Sequence, residues 1–375
     1  MGDRYDVVIA GGGPAGALLA YHLAQAGLAV TILERKQFPR TKPCGGGITP
    51  KTRRLIPFSI DGVVEDVITG GSIRYRDTLD LTWTEPVCYM VTRRRFDAFL
   101  LGEAARAGAE VRTGVAVTGA EVHPDGVYVH STGGTYRAEV VAVADGANSR
   151  LARMVRPQGK RGFAISCRVA ADHAGLFARR GRLGIDLSAA PGGYGWIFPK
   201  GDHLNVGIGT VYPGVRNLRA LLDTYLAREG LSAGATTQIQ GHPLPFEGLA
   251  GGRVTAVRTL LLGDAAGLVD PFTGEGIHNA CLSACLAAEA ILARRRHPAR
   301  AVEVYQKLVR DNILKELKRA YLWGRVFYRY TGYAMRFLEK RPALARELWG
   351  VLFRGSYRDI WGCFGRYFLR AFRTV

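Results

Sequence analysis

The chain has 375 residues, 47% of them hydrophobic and 22% charged, and carries a formal net charge of +19. These values exclude a disordered chain and a lone small domain, and they leave room for two or three packed units. The cysteines (Cys44, Cys88, Cys167, Cys281, Cys285 and Cys363) fit no zinc or cluster spacing, so no metal is expected and they read as small apolar residues in a reducing compartment.

In chain order, Tyr5–Ala10 reads as a strand, Pro14–Ala26 as a helix stopped by Gly27, and Ala29–Glu34 as a second strand. Val7 to Leu33 contains no charged residue, yet three glycines and Pro14 interrupt it, and no basic leader precedes it. It is therefore a buried βαβ unit, not a membrane span or signal. Gly11-x-Gly13-x-x-Gly16 lies between the first strand and the helix. Gly11 permits the tight turn, Gly13 lets the backbone approach a pyrophosphate, and Gly16 allows close helix–strand packing. The helix N-terminus adds NH groups and a positive dipole. Glu34, with Arg35 beside it, is placed to accept hydrogen bonds from ribose hydroxyls.

Residues 61–90 alternate apolar and polar and suit antiparallel strands; Arg93–Ala107 reads as a helix closed by Gly108. Arg93, Arg94 and Arg95 oppose the dipole at that helix start. A cofactor phosphate would offset this for Arg93, leaving Arg94 and Arg95 solvated. Val111–Val117, Gly126–His130 and Tyr136–Val143 are further strands, and the last runs into a turn at Asp145-Gly146. That turn either faces the cofactor through Asp145 or is an ordinary Asp-Gly turn. Residues 160–255 are strand-rich, with one helix near Leu218–Arg228. Tyr194, Trp196 and Phe198 alternate along one strand and share a face. The face is either a wall for a long apolar chain or ordinary sheet core. Lys200 either meets a phosphate head group or is solvated.

Thr259–Leu262 leads into Gly263-Asp264-Ala265-Ala266-Gly267, then Gly274-Glu275-Gly276-Ile277 and a helix to Ala293. Asp264 is placed to bond a ribityl hydroxyl. Gly274, Gly276 and Ile277 pass beside a flavin ring, where the helix N-terminus stabilises negative charge. One glycine segment for pyrophosphate and a later one for the ribityl chain and ring make the cofactor FAD. His278 is read as a helix histidine bonded to backbone.

These stretches together resemble the flavin-dependent hydroxylase superfamily over about residues 1–295. Two segments narrow the resemblance to geranylgeranyl reductases. Lys42-Pro43-Cys44-Gly45-Gly46-Gly47 is similar to that family's Lys-x-Cys-Gly-Gly signature. Tyr194 to Lys200, followed by Gly207 and Gly209, is similar to its Tyr-x-Trp-x-Phe-Pro element. The resemblance implies an α/β fold: a glutathione-reductase-like FAD-binding domain (1–60, 91–157, 256–297) with an inserted, mostly antiparallel β substrate domain (61–90, 158–255). A helical C-terminal region (298–375) follows. It implies FAD contacts at Ala15, Glu34, Cys44, Gly45, Gly47, Arg93, Asp264, Gly276 and Ile277, with Val117 near the adenine. It implies an FAD-dependent reductase that saturates carbon–carbon double bonds of a prenyl chain, with Tyr194, Trp196, Phe198 and Lys200 toward the substrate. Cys44 is either catalytic or a small residue that fits. The prenyl head group stays open among diphosphate, chlorophyll, quinone and ether lipid. The electron donor is NAD(P)H or ferredoxin, because no second glycine-rich nucleotide segment is found. Two alternatives stand: a monooxygenase or halogenase on the same fold, and a non-catalytic isoprenoid carrier.

Residues 291–375 hold 20 basic against 6 acidic residues, and the last 55 hold 15 of 36 aromatics, which asks for an anionic surface. With Tyr357–Val375 as a helix, Trp361, Phe364, Phe368 and Phe372 form a stripe opposite Arg366, Arg370 and Arg373. That suits a helix lying in a membrane interface; the alternative is packing on the protein's own body or a second subunit. No nucleic-acid partner is expected. The expectation is a cytoplasmic protein peripherally associated with an anionic membrane.

Overall fold

The computed structural model describes residues 4–156, 159, 161–170, 176–231, 239–246, 248 and 252–373. An eight-stranded sheet is centred on β1 (Arg4–Ala10), whose Val7, Val8, Ile9 and Ala10 are fully buried. Burial on both faces is what a continuous apolar run in a parallel sheet requires. β1 pairs in parallel with β2 (Val30–Glu34) and β11 (Gly134–Val143); β8 (Glu110–Thr113) and β17 (Thr259–Leu261) extend the parallel part. Helix α1 (Pro14–Gln25) packs on α2 (Arg93–Arg106) and α4 (Ile277–Ala293), joining the first glycine segment to the second.

The strand expected at 111–117 is instead two strands. Gly114 adopts φ +76°, outside the extended region, so β8 stops and β9 (Val117–His123) starts in a different direction. β9 then joins the antiparallel ribbon of β10 (Gly126–Ser131) and β11.

The second sheet has seven strands in the order β16-β12-β15-β14-β13-β5-β6. These are β5 (Gly70–Arg74), β6 (Thr78–Thr82), β12 (Arg161–Ala170), β13 (Arg182–Asp186), β14 (Gly193–Pro199), β15 (His203–Thr210) and β16 (Gln240–Pro245). All pairs are antiparallel except β13 with β5. Helix α3 (Leu218–Arg228) covers β12 and β15. The 61–90 stretch divides: β5 and β6 extend this sheet, whereas β7 (Cys88–Val91) pairs on one side with β4 (Val64–Ile68) and on the other with the short β3 (Gly47–Ile48).

After α5 (Ala301–Val309) come α6 (Lys315–Arg329), α7 (Thr331–Glu339), α8 (Pro342–Arg354) and α9 (Asp359–Arg373). These helices fold back on the seven-stranded sheet. Met335, Leu338, Leu344 and Cys363 share one core with Ile73, Leu81, Leu183 and Trp196. The stripe expected on the last helix is divided. Trp361 is 70% exposed, while Phe364 packs against the core and Tyr357, Ile360 and Cys363 are buried. The helix therefore turns a different face inward, because Ile360 and Cys363 have core to pack on. Arg366 pairs with Glu347 at 2.6 Å. The side chains of Phe368, Arg370, Phe372 and Arg373 lie outside the described residues.

Candidate functional site

A cavity of about 450 Å³ is lined by residues of both sheets, and its lining falls into a polar set beside the glycine segments and an apolar set on the second sheet and the C-terminal helices, called the polar and the apolar arm. The polar arm is backbone-rich. Gly11 has φ +104°, and a Cβ there would lie 2.5 Å from the Ala144 carbonyl oxygen. A Cβ on Gly16 would lie 2.0 Å from the Gly11 oxygen, so both glycines set the crossing of strand and helix. Gly13 is different. A Cβ there would meet only the Arg40 guanidinium, at 3.6 Å, and Gly13 lines the cavity with Ala15. Glu34 is buried, and its carboxylate accepts from the Gly12 NH at 2.8 Å and the Lys36 NH at 2.9 Å. Arg35 lines the same arm.

Asp145 lines this arm too, and its buried Oδ1 has no hydrogen-bond partner. Burial raises its carboxyl to about 6. Asp264 accepts from Lys42 Nζ at 3.0 Å and stands 3.3 Å from His242 Nε2. Burial opposes its charge, but Lys42 and His242 outweigh that and hold the carboxyl far below the usual range. Gly274, Gly276 and Ile277 close the arm at the start of α4. A Cβ-free approach at Gly13, an unpartnered Asp145 oxygen and a helix N-terminus suit a dinucleotide's pyrophosphate and hydroxyls.

The loop from Cys44 to Gly47 lines the cavity between the two arms. Cys44 is half-buried and a free thiol, and its sulfur accepts from the Gly46 NH at 3.3 Å. The apolar arm begins at Tyr194, Trp196 and Phe198 on β14, with ring centroids 6.2 Å apart between neighbours. Trp196 Nε1 donates to Asn205 Oδ1 at 2.8 Å, which satisfies its polar edge. A Cβ on Gly207 would lie 2.2 Å from the Trp196 ring, so the glycine of the next strand makes room for the wall. Leu183 and Ile185 of β13 extend the arm.

Several expected sites differ. Arg93 lines the cavity, yet its guanidinium forms a bidentate pair with Asp97 at 2.6 and 2.8 Å, and Arg40 reaches Asp97 at 3.1 Å. The anion that offsets the helix dipole is thus internal. Burial works against the Arg93 charge, and Asp97 outweighs it, holding the guanidinium above its ordinary value. Lys200 does not line the cavity and is not solvated. It is 2% exposed, and its Nζ donates to the Gly45 and Gly46 carbonyls at 2.7 and 3.2 Å. Burial lowers it to about 8. Val117 sits at the start of β9, away from the cavity lining, because the chain turns at Gly114. His278 contacts the Thr52 hydroxyl, at 3.4 Å, and burial lowers it to about 4, so it is neutral near pH 7.

Sequence reasoning missed the far wall. Phe327 and Tyr328 of α6 and Trp349, Leu352 and Phe353 of α8 line the apolar arm. The same region holds the loop before α4. Tyr328 OH donates to the Phe272 carbonyl at 2.7 Å, and Tyr357 OH donates to buried Asp270 at 2.7 Å. Tyr194 OH donates to the Thr273 carbonyl. Lys51 pairs with Glu275 at 2.9 Å on that loop. The only available signal was the aromatic enrichment of the tail, which was assigned to a membrane surface.

Residues 4–173 match the FAD binding domain family, and residues 181–240 match the geranylgeranyl reductase catalytic domain family. The chloroplastic geranylgeranyl diphosphate reductase of Oryza sativa is 32% identical, over 80% of this chain and 69% of the relative. The digeranylgeranylglycerophospholipid reductase of Methanosarcina mazei is 28% identical over 96% of each chain. A geranylgeranyl bacteriochlorophyll reductase-like protein of Thermoplasma acidophilum superposes with TM-score 0.77 at 25% identity, covering 88% of each chain. A myxobacterial FAD-dependent halogenase, at TM-score 0.65 and 23% identity over 82% of this chain and 80% of its own, shares the fold alone.

Proposed function

The chain belongs to the geranylgeranyl reductase family of FAD-dependent oxidoreductases, and on that premise we propose that it saturates carbon–carbon double bonds in the prenyl chain of a membrane lipid or quinone. The observation that carries this reading is the division of the cavity. Arg35, Lys42, Asp145 and Asp264 line it beside the glycine segments, and Glu275, on the loop before α4, is already paired with Lys51. The apolar arm is lined by Leu183, Ile185, Trp196, Phe327, Trp349 and Phe353. An apolar chain gains by entering such an arm, whereas a charged head group would lose hydration without a partner. The head group therefore stays outside.

Bound and reduced, FAD supplies a hydride to one alkene carbon, and a proton completes the other. Gly13, Ala15, Glu34, Asp145, Asp264 and Gly276 hold the cofactor in this reading, and the pairing of Asp264 with Lys42 fixes its carboxylate beforehand. Trp196 and Phe198 lay the chain against the junction and exclude water from it. Cys44 borders the reacting alkene and is the proposed catalytic residue. Residues 1–60, 91–157 and 256–297 form the cofactor unit, and 61–90 with 158–255 the substrate unit. Electrons arrive from NAD(P)H or ferredoxin. The substrate is met at a membrane surface by a peripheral protein; no helix among the described residues is long and apolar enough to cross a membrane.

The test is anaerobic turnover of dithionite-reduced protein with geranylgeranyl lipids, read by mass spectrometry. Each reduced double bond gains two hydrogens without oxygen. A hydroxylated or halogenated product that forms only in air would overturn the reading in favour of oxygen chemistry.

A further inference from the structure

We propose that the protein docks on an anionic lipid bilayer through the outward face of α6 and the start of α7; this deepens the reading of a prenyl-lipid substrate and rests on it. Helix α6 has two faces. Inward, Leu317, Ala320 and Gly324 are buried, and Phe327 and Tyr328 line the apolar arm. Outward, Leu322 is 64% exposed and Val326 57%, one turn apart on a single stripe. Tyr321, Tyr330 and Tyr333 continue the patch, and Tyr333 is 72% exposed. Exposed large apolar side chains elsewhere, such as Val122 and Met154, are scattered along the chain and need no explanation. Here five fall between Tyr321 and Tyr333. Trp361 joins them, its ring 5.2 Å from that of Trp323.

The charge around this patch selects the occupant. Residues 315–340 hold seven basic side chains against two acidic ones. Lys315 and Arg319 are engaged with Asp311 and Glu316. Lys318, Arg325, Arg329 and Arg336 are exposed and form no ion pair among the described residues. Arg325 and Arg336 lie over the rings of Tyr321 and Tyr333, at 5.7 and 5.2 Å. Aliphatic and tyrosine side chains among unpaired cations match the layer where acyl chains meet anionic head groups. A second copy on the same face would set these cations against one another, which opposes a symmetric dimer there. The helix is about 10 Å across, so the patch lies one helix width from the wall of the apolar arm.

The experiment is flotation of FAD-loaded protein with vesicles of phosphatidylcholine alone and with added phosphatidylglycerol, at low and high salt. Wild type floats with the anionic vesicles, and salt weakens the binding. The triple variant Leu322→Glu, Val326→Glu, Tyr333→Glu loses about tenfold or more in partition, equivalent to ~1.4 kcal/mol, and keeps its FAD content and melting temperature. Equal flotation of wild type and variant overturns the assignment, as does a wild type that ignores both vesicles. A dimer that the substitutions split into monomers overturns it in favour of a self-interface. Vesicle binding needs no turnover, so a protein that binds without reducing prenyl lipids, or reduces them in detergent without binding, tells failure of one reading from failure of the other.

Discussion

The two arms of the cavity are built from different materials. The polar arm is walled by backbone at Gly13 and Gly276 and by carboxylates already held in place, as Glu34 is by the Gly12 NH. The apolar arm is walled by large side chains drawn from β13, β14, α6 and α8, segments spread over residues 183 to 353. A backbone wall admits few residue types, so it leaves a mark in the sequence. A side-chain wall can be assembled from any apolar residues that the topology brings together, and its mark is weak. The arms should also fail differently: damage to the first removes the cofactor, and damage to the second removes turnover.

The sharpest separation comes from Gly13→Val. A Cβ there points into the cavity and has only the Arg40 guanidinium within 4 Å. The protein should fold with little change in melting temperature and lose FAD affinity by about a thousandfold, or ~4 kcal/mol. Equilibrium dialysis of FAD against the purified apoprotein measures this. Retained affinity would mean that Gly13 does not face the cofactor.

Lys200 tests the junction between the arms through pH. Its folded value is lowered to about 8 by burial, against an ordinary 10.5. Between those values the unfolded chain binds more protons at this site than the folded chain does. Stability from this group therefore rises as pH rises from about 8 to 10.5, by up to about 3 kcal/mol. The difference between wild-type and Lys200→Met denaturation curves across that window should show the rise. Parallel curves would mean that the ammonium is not desolvated.

Trp196→Ala sharpens the contrast from the apolar side. Turnover should fall about a hundredfold, ~2.7 kcal/mol, while FAD affinity changes by no more than about threefold. A comparable loss of both would merge the two arms into one site.

The legibility of each residue follows from the same contrast. That the Gly11–Gly16 turn, Glu34, Asp264 and the α4 start come together at one cavity was readable, because strand, turn and helix allow little else there. Arg93 does line the cavity, but its pairing with Asp97, four residues on along the same helix face, was not anticipated although the spacing allowed it. Lys200 could not be read, because its partners at Gly45 and Gly46 lie more than 150 residues earlier. The helical wall was hidden for a related reason. An amphipathic, aromatic helix looks the same whether its apolar face meets a bilayer or a sheet, and α6 meets the protein interior with one face while leaving apolar side chains outside on the other.

Cys44 carries the smallest and most discriminating prediction. It lies where the arms meet, on a loop pinned by Lys200 through two carbonyls and crowded by the Phe198 ring, which a Cβ on Gly45 would approach to 2.8 Å. All six cysteines are free thiols. Cys44→Ser preserves the shape and an acceptor for the Gly46 NH, but exchanges a soft, apolar sulfur for a small, well-hydrated hydroxyl. FAD affinity should stay within about twofold, because the loop keeps its backbone bonds. Turnover should fall about threefold to tenfold, or ~0.7–1.4 kcal/mol, and the distribution of partly reduced products should shift, because the alkene no longer settles against the same surface. Product mass spectra at equal conversion provide the measurement. An unchanged rate and distribution would make Cys44 a residue kept for its size, leaving the aromatic wall alone to position the chain.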